Sequence, residues 1–129
     1  MGVNLHTIKL EIPLTKPVAK ELTTFWEKIF GEVDLPLHIF LGSEVEDNQN
    51  FVYLNRRRNQ LAGTCVVTCS RSVPRLGGFG EVASDPDMRR SGIATHLCGQ
   101  AIDDFRTIGG QALFLGTGNP EAARIYHRL

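Results

Sequence analysis

The sequence predicts a mixed α/β domain: a central sheet with antiparallel N-terminal strands and a parallel pair at its end, flanked by helices. Three observations predict it. Apolar runs at residues 51–54 and 61–69 lie on either side of the polar segment 55–60, the pattern of an antiparallel hairpin. Residues 77–84, an apolar helical stripe over 93–108 and the continuous apolar run 112–115 follow as strand, helix and strand, and a right-handed crossover makes those strands parallel. The 129 residues, 42% hydrophobic and 22% charged, have the size and balance of one domain, 1–129, with one core.

The N-terminal elements follow from local pattern. Residues 7–12 alternate as a short strand. Thr15 then reads as a helix cap with Pro17 in the first turn. Val18, Ala19, Leu22, Phe25, Trp26, Ile29 and Phe30 recur at helical spacing, and Gly31 supplies the stop. That stripe is core, and Trp26 within it reads as packing. Residues 31–50 carry the weakest pattern: a short helix or strand at 37–41, then an acidic, solvated loop. Arg56, Arg57 and Arg58 are expected at the hairpin tip as a solvated turn.

Composition excludes several classes. Fourteen Lys and Arg against fourteen Asp and Glu give a formal charge of zero, which argues against an electrostatic nucleic-acid binder. The longest apolar runs are far too short to cross a bilayer, so no membrane partner is expected and the protein reads as soluble and cytoplasmic. Cys65 and Cys69, four residues apart on one strand, would have Cα atoms about 13 Å apart, beyond disulfide reach. The cysteines therefore stay reduced, and no Cys or His pair has zinc-ligand spacing.

The segment that carries chemistry is the strand-to-helix junction at residues 82–95. Gly92 has no side chain and Ala94 only a methyl, so a ligand has close access to free backbone N–H groups at a helix start. Such a terminus binds phosphate through those donors and the positive end of the helix dipole, and Arg89 and Arg90 would add charge-assisted bonds. Gly78 to Ala83 also satisfy a loose dinucleotide pattern, with Asp103 about twenty residues on. That match lies within a strand and its acid on the polar side of a helix, so it is the weaker reading.

The run Arg89-Arg90-Ser91-Gly92-Ile93-Ala94 resembles the R/Q-x-x-G-x-G/A signature of the GNAT superfamily of N-acetyltransferases, and it follows a strand as that motif does. Residues 113–126 are similar to the family's fifth strand and following helix, with Asn119, an alanine and Tyr126 in order. The two blocks together span residues 77–129. The resemblance implies a GNAT-like fold with acetyl-CoA in a cleft where the parallel strands splay apart. It implies that backbone groups of Val82, Ala83 and Ser84 pair with the pantetheine arm. The N–H groups of residues 90–95, from Arg90 through Ser91, Gly92, Ile93 and Ala94 to Thr95, would hold the pyrophosphate, and Asn119 and Tyr126 would approach from the last helix.

The implied reaction is transfer of an acetyl group from acetyl-CoA to an amine of unknown identity by direct attack on the thioester. The alternative is an acyl-CoA-binding module without a complete active site. An amine of pKa about 10.4 is almost wholly protonated at pH 7, so freeing its lone pair costs roughly 4.6 kcal/mol. Glu81 is the carboxylate nearest the expected cleft and the first candidate base, with Glu44 the second. Strand alternation sets Glu81 on the face opposite Val82 and Ser84 unless a bulge intervenes. Where family members use a strand glutamate as base, this chain has Gly78. Tyr126 aligns with the family's tyrosine that protonates or hydrogen-bonds the departing sulfur of coenzyme A, and the hydrogen bond is the expected role. The pattern stops at Leu129, short of two further strands that the family carries, so the chain is expected to be C-terminally truncated. The strand at 112–115 would then be an apolar edge, covered in a homodimer or by a partner chain.

Overall fold

A computed structural model describes residues 7–31, 37–88 and 92–114. They form, in order, β1 (Ile8–Glu11), α1 (Lys16–Phe30), α2 (Leu37–Phe40), β2 (Asn48–Arg57), β3 (Gln60–Ser70), β4 (Leu76–Ser84), a 3₁₀ turn (Pro86–Met88), α3 (Ile93–Thr107) and β5 (Ala112–Phe114). The strands make one sheet in the order β1-β2-β3-β4-β5. The first four pair antiparallel, and β5 pairs parallel to β4 through Leu76–Ala112, Gly77–Leu113 and Gly78–Phe114. The mixed sheet and its parallel end are those the sequence predicts.

Each strand of the hairpin feeds two cores because alternate residues face opposite ways. Phe51, Tyr53, Cys65, Val67 and Phe79 pack with Ile93, Leu97, Cys98, Ala101 and Phe105 of α3. On the other face Val52, Leu54, Leu61, Val66 and Ala83 pack with Ala19, Leu22, Phe25 and Trp26 of α1 and Phe40 of α2. The sheet is thus sandwiched, with α1 and α2 on one face and α3 on the other. Thr15 precedes α1 in an extended conformation and accepts the Ala19 N–H through its carbonyl at 3.0 Å, while its side chain makes no cap bond. Gly31 closes the helix at φ 81°, its N–H bonded to the Glu27 carbonyl.

Three expectations need correction. The hairpin is longer than the apolar runs: β2 starts at Asn48 rather than Phe51, because polar residues there pair with Ser70, Cys69 and Thr68. The turn is only Arg58–Asn59, both at positive φ (50° and 65°), which is the backbone of a tight two-residue hairpin. Arg56 accordingly lies in the strand and makes a double hydrogen bond to Glu21 of α1 at 2.6 and 2.8 Å, instead of standing solvated at a tip. Finally, a continuous apolar run such as 112–115 reads as a strand buried on both faces, whereas Ala112 and Leu113 are half-buried and Phe114 exposed. Among the described residues no helix is long and apolar enough to cross a membrane.

Candidate cofactor site at the end of β4

The candidate site grows from an irregularity in β4. Pairing with β3 runs regularly from Gly77–Cys69 to Gly80–Val66, then resumes at Ala83–Thr64 and Ser84–Gly63. Three steps along β4 are matched by two along β3, so β4 carries one extra residue at Glu81–Val82, a β-bulge. Glu81 takes φ 47°, unusual for a residue with a Cβ. The extra residue shifts the phase of the strand. Phe79 and Val82 pack towards α3 whereas Ala83 packs towards α1; in an unbroken strand Val82 and Ala83 would exchange faces. The bulge that Glu81 requires is therefore present.

A buried hydrogen-bond chain holds it. The Trp26 indole Nε1–H donates to Thr64 Oγ1 at 2.8 Å, and the Thr64 hydroxyl donates to the Glu81 carbonyl at 2.8 Å. Both side chains are fully buried, and the Trp26 ring rests on Phe40 with centroids 5.1 Å apart. Trp26 is core, as its helical spacing predicts, but the N–H function and Thr64 were not legible from periodicity. A lone buried Trp must place its N–H somewhere, which is the only signal the sequence offered.

Beyond Ser84 the backbone is tied down before α3 begins. The Asp85 N–H bonds the Ala62 carbonyl at 2.8 Å, and its carboxylate accepts the Asp87 N–H at 2.9 Å and lies 3.6 Å from Lys28 Nζ. The start of α3 rests directly on β3: a Cβ at Gly63 would come within 2.4 Å of Ile93 Cγ2. Since Gly63 pairs with Ser84, the helix opens beside the last residue of β4.

Gly92 adopts φ 81°, and among the described residues a Cβ there would meet nothing within 4 Å. The first intrahelical bond is His96 N–H to the Gly92 carbonyl, so the amides of Ile93, Ala94 and Thr95 have no intrahelical acceptor. The first turn holds no acidic side chain to compete for the helix dipole. These are the features an anionic diphosphate needs, and the space that a side chain at 92 would fill is open. Val82, Ala83, Ser84, Gly92, Ile93, Ala94 and Thr95 thus fall in one neighbourhood. Arg89, Arg90, Ser91, Asn119 and Tyr126 lie outside the described residues. Glu44 sits in the turns joining α2 to β2, with its carboxylate accepting from the Asn48 amide at 3.3 Å.

Before the bulge, β4 offers bare backbone on its α1 face. Gly78 and Gly80 flank Phe79, which faces α3, and among the described residues a Cβ at either would meet nothing within 4 Å. The dinucleotide alternative finds no support: Gly78 to Ala83 run inside β4, and Asp103 is exposed on α3. The cysteines are free and buried. A hydrogen bond with Cys98 and then burial push the Cys65 thiol well up, and burial pushes Cys69 up, so neither is a thiolate nucleophile at neutral pH. Among the described residues no group of three His, Cys, Asp or Glu is placed to hold a metal.

The model of the acetyltransferase (GNAT) family matches residues 15–129, and the chain belongs to that family. No curated protein sequence matches it significantly. Solved structures share its fold. An acetyltransferase from Trypanosoma brucei is 13% identical, with 95% of this chain and 90% of that one covered at a TM-score of 0.69. An acetyltransferase from Clostridium acetobutylicum, in a structure with acetyl-CoA, is 11% identical over 95% and 88% of the two chains at a TM-score of 0.69. An aminoglycoside acetyltransferase from an uncultured soil metagenomic sample, in complex with sisomicin, is 17% identical over 95% and 85% at 0.65. At these identities the likeness is one of fold.

Proposed function

We propose that this protein is an acetyl-CoA-dependent N-acetyltransferase. The observation that carries the reading is the open, uncapped start of α3 at Gly92, lying beside the bulged end of β4. In this reading the amides of Ile93, Ala94 and Thr95, with Arg89, Arg90 and Ser91, hold the pyrophosphate through backbone donors and the helix dipole. The backbone of Val82, Ala83 and Ser84 pairs with the pantetheine arm as an added strand would. Bound acetyl-CoA supplies an acetyl group activated as a thioester.

The chain's own residues then handle protons and position. Glu81 accepts the proton of the acceptor amine, offsetting part of the roughly 4.6 kcal/mol needed to free the amine lone pair at pH 7. Tyr126 hydrogen-bonds the departing sulfur; full proton transfer from a phenol of pKa about 10 to a thiolate of about 8.5 is uphill by roughly 2 kcal/mol, so a hydrogen bond is the favoured role. Asn119 contacts the cofactor from the same side.

One observation favours a second reading, an acyl-CoA-binding module without turnover: position 78, where a strand glutamate serves some family members, is a glycine facing open space. A thiol-release assay over a panel of amines, run beside acetyl-CoA calorimetry on the same sample, separates the two. Binding with release supports the enzyme, binding alone the module, and neither overturns both. Tyr126→Phe is expected to lower turnover with little change in acetyl-CoA affinity, and unchanged turnover removes Tyr126 from the mechanism.

A further inference from the structure

We infer that Thr64 and Trp26 are positioning residues for the cofactor, acting through the Glu81–Val82 peptide, an inference that rests on the acetyl-CoA reading above. A residue with a Cβ resists φ 47°, so Glu81 needs an outside partner to keep that conformation. Thr64 is that partner. Its hydroxyl has one proton, and because the Trp26 N–H already occupies a lone pair of Oγ1, the proton is left to the Glu81 carbonyl. The three groups form a directed chain in a fully buried setting, where each bond polarises the next.

The consequence lies on the other end of the same peptide. Among the described residues only the Ile12–Pro13 bond is cis, so the Glu81–Val82 peptide is trans and planar, with its N–H directed opposite its C=O. Thr64 holds the carbonyl towards β3 and α1. The Val82 N–H is thereby aimed away from Thr64, and among the described residues Val82 has no register partner on β3. On the other side, the described parallel pairing of β4 with β5 covers only Leu76 to Gly78. Trp26 and Thr64, 38 residues apart in sequence, thus set which way the first donor of the 82–84 segment points without touching the cofactor themselves.

A dissection of the ligand tests this. 3′-Phospho-ADP, the nucleotide part of coenzyme A with its 5′-diphosphate, reaches only the start of α3, whereas acetyl-CoA also reaches Val82 through its pantetheine arm. Thr64→Val, nearly isosteric and without the hydroxyl, is expected to weaken acetyl-CoA at least tenfold while the affinity for 3′-phospho-ADP changes less than twofold. Thr64→Ser, which restores the hydroxyl, is expected to recover most of the loss. Equal losses for both ligands, or none for acetyl-CoA, overturn the inference. The wild-type protein supplies a second readout that needs no variant. Trp26 is the single tryptophan, so its indole N–H resonance is unambiguous. That resonance should move on adding acetyl-CoA and stay in place with 3′-phospho-ADP; a resonance indifferent to acetyl-CoA overturns the inference. Failure of the wild type to bind acetyl-CoA at all brings down the functional reading, and the inference with it. Wild-type binding with no loss in Thr64→Val brings down the inference alone.

Discussion

The β2–β3 hairpin and the β4–α3 junction share one sheet but are built on opposite principles. In the hairpin Phe51, Val52, Tyr53 and Leu54 are all buried, alternating between the two cores, and almost every residue has a cross-strand partner. In β4, Gly77, Gly78 and Gly80 contribute no side chain, the register slips at Glu81, and α3 opens without a side-chain cap. The hairpin spends its backbone groups on its own ladder; at the junction the amides of Ile93, Ala94 and Thr95 have no acceptor among the described residues. Mutations should therefore register mainly as lost stability in the hairpin, Thr64 apart, and as lost ligand affinity at the junction.

The largest effect is expected in the hairpin. Leu54→Ala removes a side chain that is 1% exposed and should cost about 2–5 kcal/mol of unfolding free energy, read by urea denaturation, with acetyl-CoA affinity unchanged in the fraction that stays folded. A loss of affinity matching the loss of stability would erase the contrast. At the junction, Gly92→Val fills the open space and forces a β-branched residue to φ 81°. It should weaken acetyl-CoA by about a hundredfold, the scale of losing one or two hydrogen bonds to a charged group. Calorimetry reads it, and wild-type affinity in that variant would contradict the site.

Smaller effects sharpen the picture at the hairpin's polar margins. The Tyr53 hydroxyl donates to Asp104 at 2.9 Å, and Lys9 lies 3.3 Å from the same carboxylate. Tyr53→Phe should cost about 1 kcal/mol. Burial first, and then the bond to Asp104, hold the Tyr53 phenol above the usual range. A raised pKa means that its contribution is complete below about pH 10 and shrinks as pH rises further, so the gap between wild type and Tyr53→Phe should close in alkali. Glu21→Gln is the mildest. The Arg56 hydrogen bond holds the Glu21 carboxyl below its ordinary value, yet the Glu21 side chain is 38% exposed, so the loss should stay under about 1 kcal/mol. A lowered pKa makes that contribution complete above about pH 4.3 and lost as pH falls through the folded value, which a pH series of unfolding midpoints would follow.

Most of the fold was legible because periodicity is local. The stripe of α1, its stop at Gly31, the hairpin, and the strand-helix-strand order through β5 all follow from neighbours in sequence. What was missed depends on partners far away. Asn48 to Asn50 are polar and join β2 only because β3 extends opposite them. Arg56 belongs to the strand because Glu21 receives it. The same limit applies at the site. Gly92 and Ala94 announce an accessible helix start by having little or no side chain, whereas the bulge at Glu81 is fixed by Thr64 and Trp26, residues that no spacing rule connects.

In the proposed function the main-chain amides opening α3 bind the diphosphate of a coenzyme A thioester. Backbone amide resonances followed during an acetyl-CoA titration test this: Ile93, Ala94 and Thr95 are expected to shift together with Val82, Ala83 and Ser84, and a nucleoside diphosphate is expected to shift the first group alone. A folded protein whose α3 amides stay unmoved at saturating acetyl-CoA would contradict it.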